Sequence, residues 1–120
     1  MRRRDFIVRV PEAAIVLPSA MFWNERVRIV FAIAKHRLPA VYPEQDYADD
    51  GGLFAYGPIV SDNFRGAADY VDKILKGAKP GDLPIVQPSR FKLIINAKTA
   101  RAMQFSIPPS LLARADEIVE

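Results

Sequence analysis

The chain contains 120 residues, 50% of them hydrophobic, and no cysteine, which predicts one domain with a buried core and excludes disulfides and thiolate metal sites. Of its 17 basic residues, three are Arg2, Arg3 and Arg4, and the other 14 balance 14 acidic residues. This neutral domain body argues against nucleic-acid binding, which requires clustered positive charge on the folded surface.

Residues 1–12 begin in the manner of a secretory leader, with basic residues followed by apolar ones. Pro11 and Glu12 end the apolar stretch before it reaches leader length. We therefore divide the chain into a basic, leader-like N-terminal segment, residues 1–12, and a single α/β domain, residues 13–120. A cytosolic domain with a basic tail is the alternative interpretation.

The first part of the domain predicts a strand, a helix and a second strand. The apolar run Ala13–Leu17 is typical of a buried strand. The apolar spacing that follows predicts a helix from about Met21 or Asn24 to His36, and Ala40–Tyr42 predicts a second short strand. This order favours a right-handed parallel crossover.

The middle of the chain predicts a loop, a strand and a long helix. The polar stretch Glu44–Gly52 is interpreted as a loop at the carboxyl edge of the second strand, and Leu53–Gly57 as a third strand. Ser61 is the predicted N-cap of the helix, and Gly77 its left-handed end. The helix is expected to pack on the sheet through one apolar face, formed by Phe64, Ala67, Ala68, Val71, Ile74 and Leu75.

Prolines after this helix predict an extended connection, which leads to a strand over Phe91–Ile95. Asn96 is placed to cap a helix over Ala97–Met103. A last helix is predicted after Pro108 and Pro109, with an apolar side formed by Leu111, Leu112, Ala115, Ile118 and Val119. The expected fold is α/β, a mostly parallel sheet of about four strands with helices on both faces.

Two long stretches resemble the bacterial ABC transporter substrate-binding proteins of the two-lobed periplasmic type. YVDKILKGAKPGDLPIVQPSRFKLIINAKTARAM is similar to the closing segment of that family, with KGAKPxDLP, QPxxFxLxIN and KTA in the family's order. IVLPSAMFWNERVRIVFAIAKHRLPAVYPE extends the resemblance, so that it covers Ala13–Glu120. Many family members carry a glycine after the KTA helix, where this chain has Gln104 and Phe105.

The resemblance implies a protein that captures a small solute for an ABC importer and catalyses no reaction. Family members are considerably longer and hold the ligand between two lobes. This chain therefore resembles only their C-terminal portion. Its first residues resemble the start of a secretory leader, so we interpret the chain as a truncated member of the family. The implied location is periplasmic or membrane-associated, and a cytoplasmic location is the alternative because no complete signal peptide is present.

The carboxyl ends of the predicted parallel strands place polar and aromatic side chains at one edge of the sheet, where ligands bind in open α/β folds. Glu44 could bind an ammonium group, the aromatic side chains could stack on a ligand, and Ser19 begins a helix whose free amides suit a carboxylate. For each aromatic a core position is the alternative, and for Glu44 a solvated loop. The candidate ligand-binding residues are Ser19, Phe22, Tyr42, Glu44, Gln45 and Tyr56.

These residues suit an amino acid or a similar zwitterion. The expected partners are that ligand and, for an exported protein, the permease of an importer, with no nucleic acid. Unpaired strand edges favour a homodimer or a domain swap. Trp23, the sole tryptophan, is either a packed anchor or part of an exposed patch.

We predict no catalytic residues, metal or cofactor. His36 is the only histidine and lies at a helix end, where the helix dipole explains it. Asp46, Asp49 and Asp50 lack the spacing of a calcium loop. Two other classes stay open: a ligand-sensing regulatory domain of similar architecture, and an interaction module like a response-regulator receiver, although the paired acids of a receiver are not found.

Overall fold

A computed structural model describes residues 13–120, which form an α/β domain of five strands and six helices. The basic segment, residues 1–12, lies outside the described residues. The strands are β1 Ala14–Ile15, β2 Ala40–Tyr42, β3 Phe54–Pro58, β4 Phe91–Asn96 and β5 Glu117–Val119. The helices are α1 Ala20–Asn24, α2 Arg26–Lys35, α3 Gln45–Asp49, α4 Val60–Leu75, α5 Ala97–Met103 and α6 Pro109–Leu112, and Pro80–Asp82 form a 3-10 turn.

The five strands lie in one sheet in the order β1-β2-β3-β4-β5. The pairs β1–β2, β2–β3 and β4–β5 are parallel, and β3–β4 is antiparallel. The predicted α/β class and mostly parallel sheet are confirmed, with one strand more than expected. The carboxyl ends of β1, β2 and β3 meet at one edge of the sheet, and the amino end of β4 lies beside them.

Helices flank both faces of the sheet, as predicted, and successive residues of a strand point to opposite faces. Phe54 and its partner Ile95 pack with Leu53, Ala100 and Met103 on the α5 side. On the other face the buried residues come from β2, β3, β4 and the helices α2 and α3. These are Val30, Ala40, Tyr42, Tyr47, Ala48, Ala55 and Ile94.

The helix predicted after β1 is divided into α1 and α2 at Glu25, whose backbone (φ −99°, ψ 10°) departs from helical values. At this break the Arg26 guanidinium donates a hydrogen bond to the Trp23 backbone carbonyl at 3.3 Å. The first of the two helices is therefore only five residues long.

The stretch predicted as a loop, Glu44–Gly52, contains the helix α3. Tyr47 and Ala48 are 1% and 0% exposed, so this short helix is held by two buried side chains. The loop interpretation was wrong because burial of these two residues stabilises a turn of helix within a polar stretch.

Two predictions about α4 need correction. The helix begins at Val60, with Ile59 rather than Ser61 at the cap position. Its apolar face does not pack on the sheet, since none of its 16 residues is buried among the described residues. The predicted end is confirmed: Gly77 has φ 104°, and its N–H donates to the Ile74 carbonyl at 3.0 Å.

The helix predicted near the C-terminus is also corrected. Only α6 is helical, and Ile118 and Val119 belong to β5, which pairs with the outer side of β4. The Asp116 N–H donates to the Leu93 carbonyl at 2.8 Å, and the Asp116 carboxylate accepts from the Leu93 N–H at 2.7 Å. Pairing with this open strand edge outweighs the helical spacing of the apolar residues.

Asn96 caps α5 as predicted, with its side-chain oxygen accepting from the Thr99 N–H at 2.9 Å. Its side-chain nitrogen donates to the Ala48 carbonyl at 2.9 Å, which joins α3 to β4. Gln104, directly after α5, takes the left-handed conformation, φ 57°.

A substitution at Gly57 tests how closely the chain after β2 approaches β3 at the carboxyl edge. A Cβ on Gly57 would lie 1.8 Å from the Pro43 carbonyl oxygen, so Gly57→Ala is expected to lower the free energy of unfolding by about 1–3 kcal/mol. Gly66→Ala is the matched control, because a Cβ on Gly66 meets nothing within 4 Å, and it should stabilise α4 by about 0.5–1 kcal/mol. Denaturant unfolding of both variants measures the difference, and equal stabilities would contradict the close approach.

Candidate functional site

Two cavities lie on opposite sides of the sheet at the carboxyl edge. The first, of about 450 Å³, is mainly apolar and lies on the face of the sheet that carries Phe54. We call it the apolar cavity. It is lined by Ile15, Val16, Leu17, Pro18, Val41, Tyr42, Pro43, Glu44, Tyr56, Gly57, Pro58, Val60 and Asn63.

The second cavity, of about 390 Å³, lies on the face that carries Ala55, beside α3. We call it the polar cavity. Its side chains include three carboxylates, an amide, a hydroxyl and an ammonium group. These belong to Glu44, Asp46, Asp49, Gln45, Ser61 and Lys92.

The two cavities share the residues at the very edge of the sheet, among them Glu44 and Gly57. Gly57 has no side chain to separate them, and its backbone lies against the Pro43 carbonyl. A ligand that bridges this edge would therefore contact apolar surface on one side and charged groups on the other.

Glu44 lines both cavities and follows β2 after one residue, Pro43. Burial raises the pKa of the Glu44 carboxyl, the nearby Asp46 raises it further, and Arg26 opposes both effects. A partly desolvated carboxylate gains more from a cationic ligand group than a solvated one does, because the opposing charge is less screened.

Tyr42 lies in the core as well as beside the apolar cavity. It is 2% exposed, and its ring stacks on Tyr47 with centroids 5.2 Å apart. Burial, with a smaller effect of Tyr47, raises the pKa of Tyr42 to about 12. The burial of the ring supports the core alternative for this residue.

Tyr56 differs from Tyr42 in that its side chain is 54% exposed beside the apolar cavity. Its ring stacks on Phe91 with centroids 5.7 Å apart, which limits the orientations of the side chain. Together the two rings form an exposed aromatic surface next to the edge, suited to an apolar or aromatic group.

Ser19 and Phe22 line neither cavity, although Pro18 lines the apolar one. Ser19 stands at the cap position of α1, and its carbonyl accepts the Trp23 N–H at 2.8 Å. Of the six sequence-predicted residues, the apolar cavity brings together Tyr42, Glu44 and Tyr56, and the polar cavity adds Gln45.

Trp23 is a packed residue next to this region. Its ring meets Tyr47 edge-on at 6.2 Å, and the Arg26 guanidinium lies 4.7 Å from its centroid. Arg26 also pairs with Asp50 at 2.7 Å. One ring, that of Tyr47, therefore separates Trp23 from Tyr42, and we expect Trp23 fluorescence to respond to changes near the cavity.

Lys92 is a candidate that the sequence reasoning missed. Its ammonium group lies 2.5 Å from the Glu117 carboxylate and 3.4 Å from the Gln45 amide oxygen, at the polar cavity. It reaches the edge because β4 is antiparallel to β3, which puts the start of β4 beside the end of β3. Only the strand direction could have revealed this position, and that direction was not predicted.

Comparison with known proteins identifies the family. The sequence profile described as "ABC transporter substrate binding protein" matches residues 10–119. The chain belongs to this family. No significant match was found among curated proteins.

Three solved structures are similar to this substrate-binding chain. A conserved domain protein from Vibrio cholerae has 24% identity and a TM-score of 0.79, and the match covers 87% of this chain and 35% of that one. An ABC domain in complex with L-Trp from Streptococcus pneumonia has 24% identity and a TM-score of 0.82, covering 96% and 39%. A substrate binding protein with adhesive properties from Clostridium difficile, in a ligand-free, open structure, has 15% identity and a TM-score of 0.59, covering 88% and 35%.

The similarity to these structures shows that the chain has the same α/β fold as the matching part of each. It also shows that the chain spans 35–39% of the length of the structures it matches. Within residues 13–120 we find no group of three or more histidine and acidic residues that could hold a metal ion, and no helix with the length and apolar character needed to cross a membrane.

The raised pKa of Tyr42 predicts a loss of stability at alkaline pH. The unfolded chain releases the phenol proton near the usual pKa of about 10, whereas the folded chain holds it to about 12. The stabilisation is therefore complete below pH 10 and is lost as pH rises towards 12. Tyr42→Phe should keep the stability at neutral pH and flatten this decline.

Denaturant unfolding across the alkaline range measures the effect. Tyr56→Phe, which alters an exposed tyrosine, is the matched control and should decline like the wild type. If Tyr42→Phe declines as steeply as the wild type, the buried phenol is not the cause.

Proposed function

We propose that this chain forms one wall of a solute-binding cleft in an ABC import system, and that the solute is an amino acid or a similar zwitterion. The observation that carries the proposal is that Glu44, which lies just after β2, and Tyr56, which lies in β3, line the same cavity at the carboxyl edge. Membership of the substrate-binding family supports capture of a solute rather than chemistry.

The two cavities suit the separate parts of an amino acid. We propose that Glu44 binds the ammonium group and that Lys92, at the polar cavity, attracts the carboxylate. The side chain of the ligand would lie in the apolar cavity against Tyr56. A volume of about 450 Å³ falls in the range of small-molecule pockets.

The Streptococcus pneumonia domain, whose structure is a complex with L-Trp, supports an amino-acid ligand. An aromatic ligand of that kind would suit Tyr56 and Phe91, whose rings are stacked and exposed. Ser19 and Phe22, which follow β1, stay in the proposal as residues that reach the ligand when the cleft closes.

The proposed partners follow from the family. A permease of an import system would receive the solute, and the proposed place of action is the outer side of the cytoplasmic membrane. We also propose self-association, as a homodimer or a domain swap, because within residues 13–120 no strand pairs with the outer edges of β1 and β5.

Titration with amino acids tests the proposed function. L-tryptophan and other amino acids are expected to raise the thermal midpoint, since a ligand that binds only the folded state stabilises it. Glu44→Gln should weaken binding roughly tenfold or more, because a charge-assisted hydrogen bond contributes about 1.5–3 kcal/mol. Binding to the wild type should also weaken as pH falls through the raised pKa of Glu44.

Calorimetry gives the dissociation constants, and Trp23 fluorescence follows the non-aromatic ligands. Glu25→Gln is the matched control, because Glu25 is exposed and pairs with Arg28 away from both cavities. Unchanged binding by Glu44→Gln would reject the role of Glu44, and the absence of any amino-acid binding would reject the proposed ligand class.

A further inference from the structure

The first turn of α4, residues 60–63, forms part of the wall of both cavities at the carboxyl edge. Val60 lines the two cavities, Ser61 lines the polar cavity, and Asn63 lines the apolar cavity. The shape of each cavity therefore depends on where this turn stands relative to the end of β3.

Burial of side chains does not fix the position of this turn. None of the 16 residues of α4 is buried among the described residues, and Val60 is 47% exposed. A helix with so few buried apolar contacts can change its orientation at little cost in free energy. The position of the turn therefore depends on the contacts of the chain that enters and leaves the helix.

Two adjacent chain segments join α4 to the sheet. The chain leaves the sheet at Pro58 and returns to it at Phe91, and these two residues face each other as the last pair of β3 and β4. One backbone hydrogen bond continues the pairing, from the Ile59 N–H to the Arg90 carbonyl at 3.2 Å. This bond lies directly before the first turn of α4.

The Arg90 side chain makes the next contact with the turn. Its guanidinium lies 3.0 Å from the Asp62 carboxylate. The Asp62 Oδ2 atom is buried and accepts no hydrogen bond from the described residues, so Arg90 is the group that offsets its charge. Arg65 lies 3.5 Å from the other carboxylate oxygen. Because Arg65 belongs to α4 and Arg90 to the returning segment, of these two pairs only that of Arg90 links the turn to the sheet.

We propose that Arg90 is a positioning residue of the solute site, which acts through Asp62 to hold the first turn of α4 in place as a wall of both cavities. The inference rests on the proposed function, because it assigns Arg90 a role in the same site. Neither Arg90 nor Asp62 lines either cavity, so neither contacts the solute. A wall that is already in place binds a solute more tightly than one that the solute must order.

The exposure of the ion pair sets the size of the expected effect. The Arg90 side chain is 68% exposed and the Asp62 side chain 27%. Water partly screens a pair in this position, so its loss should change an equilibrium by about two- to fivefold.

Hydrogen exchange of the ligand-free chain tests the positioning by itself. The Ile59 amide should exchange about two- to fivefold faster in Arg90→Gln than in the wild type, because the joint opens more often. The Asn96 amide, which donates to the Leu53 carbonyl at 2.9 Å, should exchange at the wild-type rate. Arg65→Gln is the matched control and should leave the exchange of Ile59 unchanged. Unchanged exchange of Ile59 in Arg90→Gln would overturn the proposal, whether or not a solute binds.

Calorimetry with L-tryptophan tests the consequence for binding. Arg90→Gln should weaken binding about two- to fivefold, whereas Arg90→Lys, which keeps the charge, should retain most of the affinity, and Arg65→Gln should bind like the wild type. Adding Asp62→Asn to Arg90→Gln should cause no further loss, because the interaction is already absent.

Wild-type affinity in Arg90→Gln, or a further loss in the double variant, would overturn the role of Arg90. Absence of binding by the wild type would instead reject the proposed function, and the exchange of the Ile59 amide would still decide whether Arg90 positions the turn.

Discussion

The position of β3 between two strands is the constraint on which the rest of the structure depends. It is parallel to β2 on one side and antiparallel to β4 on the other, so its residues are fixed in register from both directions. Phe54 and Ala55 consequently point into cores on opposite faces, and the helices α3 and α5 each cover one face. The same register sets where β3 ends, at the edge where Gly57 lies against Pro43. The candidate site is thus a consequence of strand pairing.

Sequence patterns predicted the parts of this arrangement that depend on local spacing. Four strands were found from apolar runs, and the approach of Glu44 to Tyr56 followed from parallel topology alone. The helix α3 was missed because Tyr47 and Ala48 are too few to show a period within polar neighbours. The strand β5 was missed because Ile118 and Val119 continue the helical spacing of Leu111 and Ala115, and only the open edge of β4 draws them into the sheet.

The helix α4 shows what amphipathic spacing does and does not establish. The spacing correctly predicted a helix with an apolar face and its end at Gly77, but it did not specify what covers that face. We had expected the apolar face of α4 to pack on the sheet because the sheet is the largest apolar surface of the same domain. Lys92 is a similar case, since its place at the polar cavity depends on the direction of β4, which local spacing does not encode.

The central claim is that the carboxyl ends of β1, β2 and β3 form one solute-binding edge. The most direct test is an NMR titration of the nitrogen-labelled chain with L-tryptophan. The chemical shift of each backbone amide in the nitrogen–proton correlation spectrum changes when a ligand binds near that residue. The account predicts that the largest shifts occur together in residues 17–19, 44–45 and 56–60. Shifts confined to the opposite edge of the sheet, or none at saturating ligand, would contradict it.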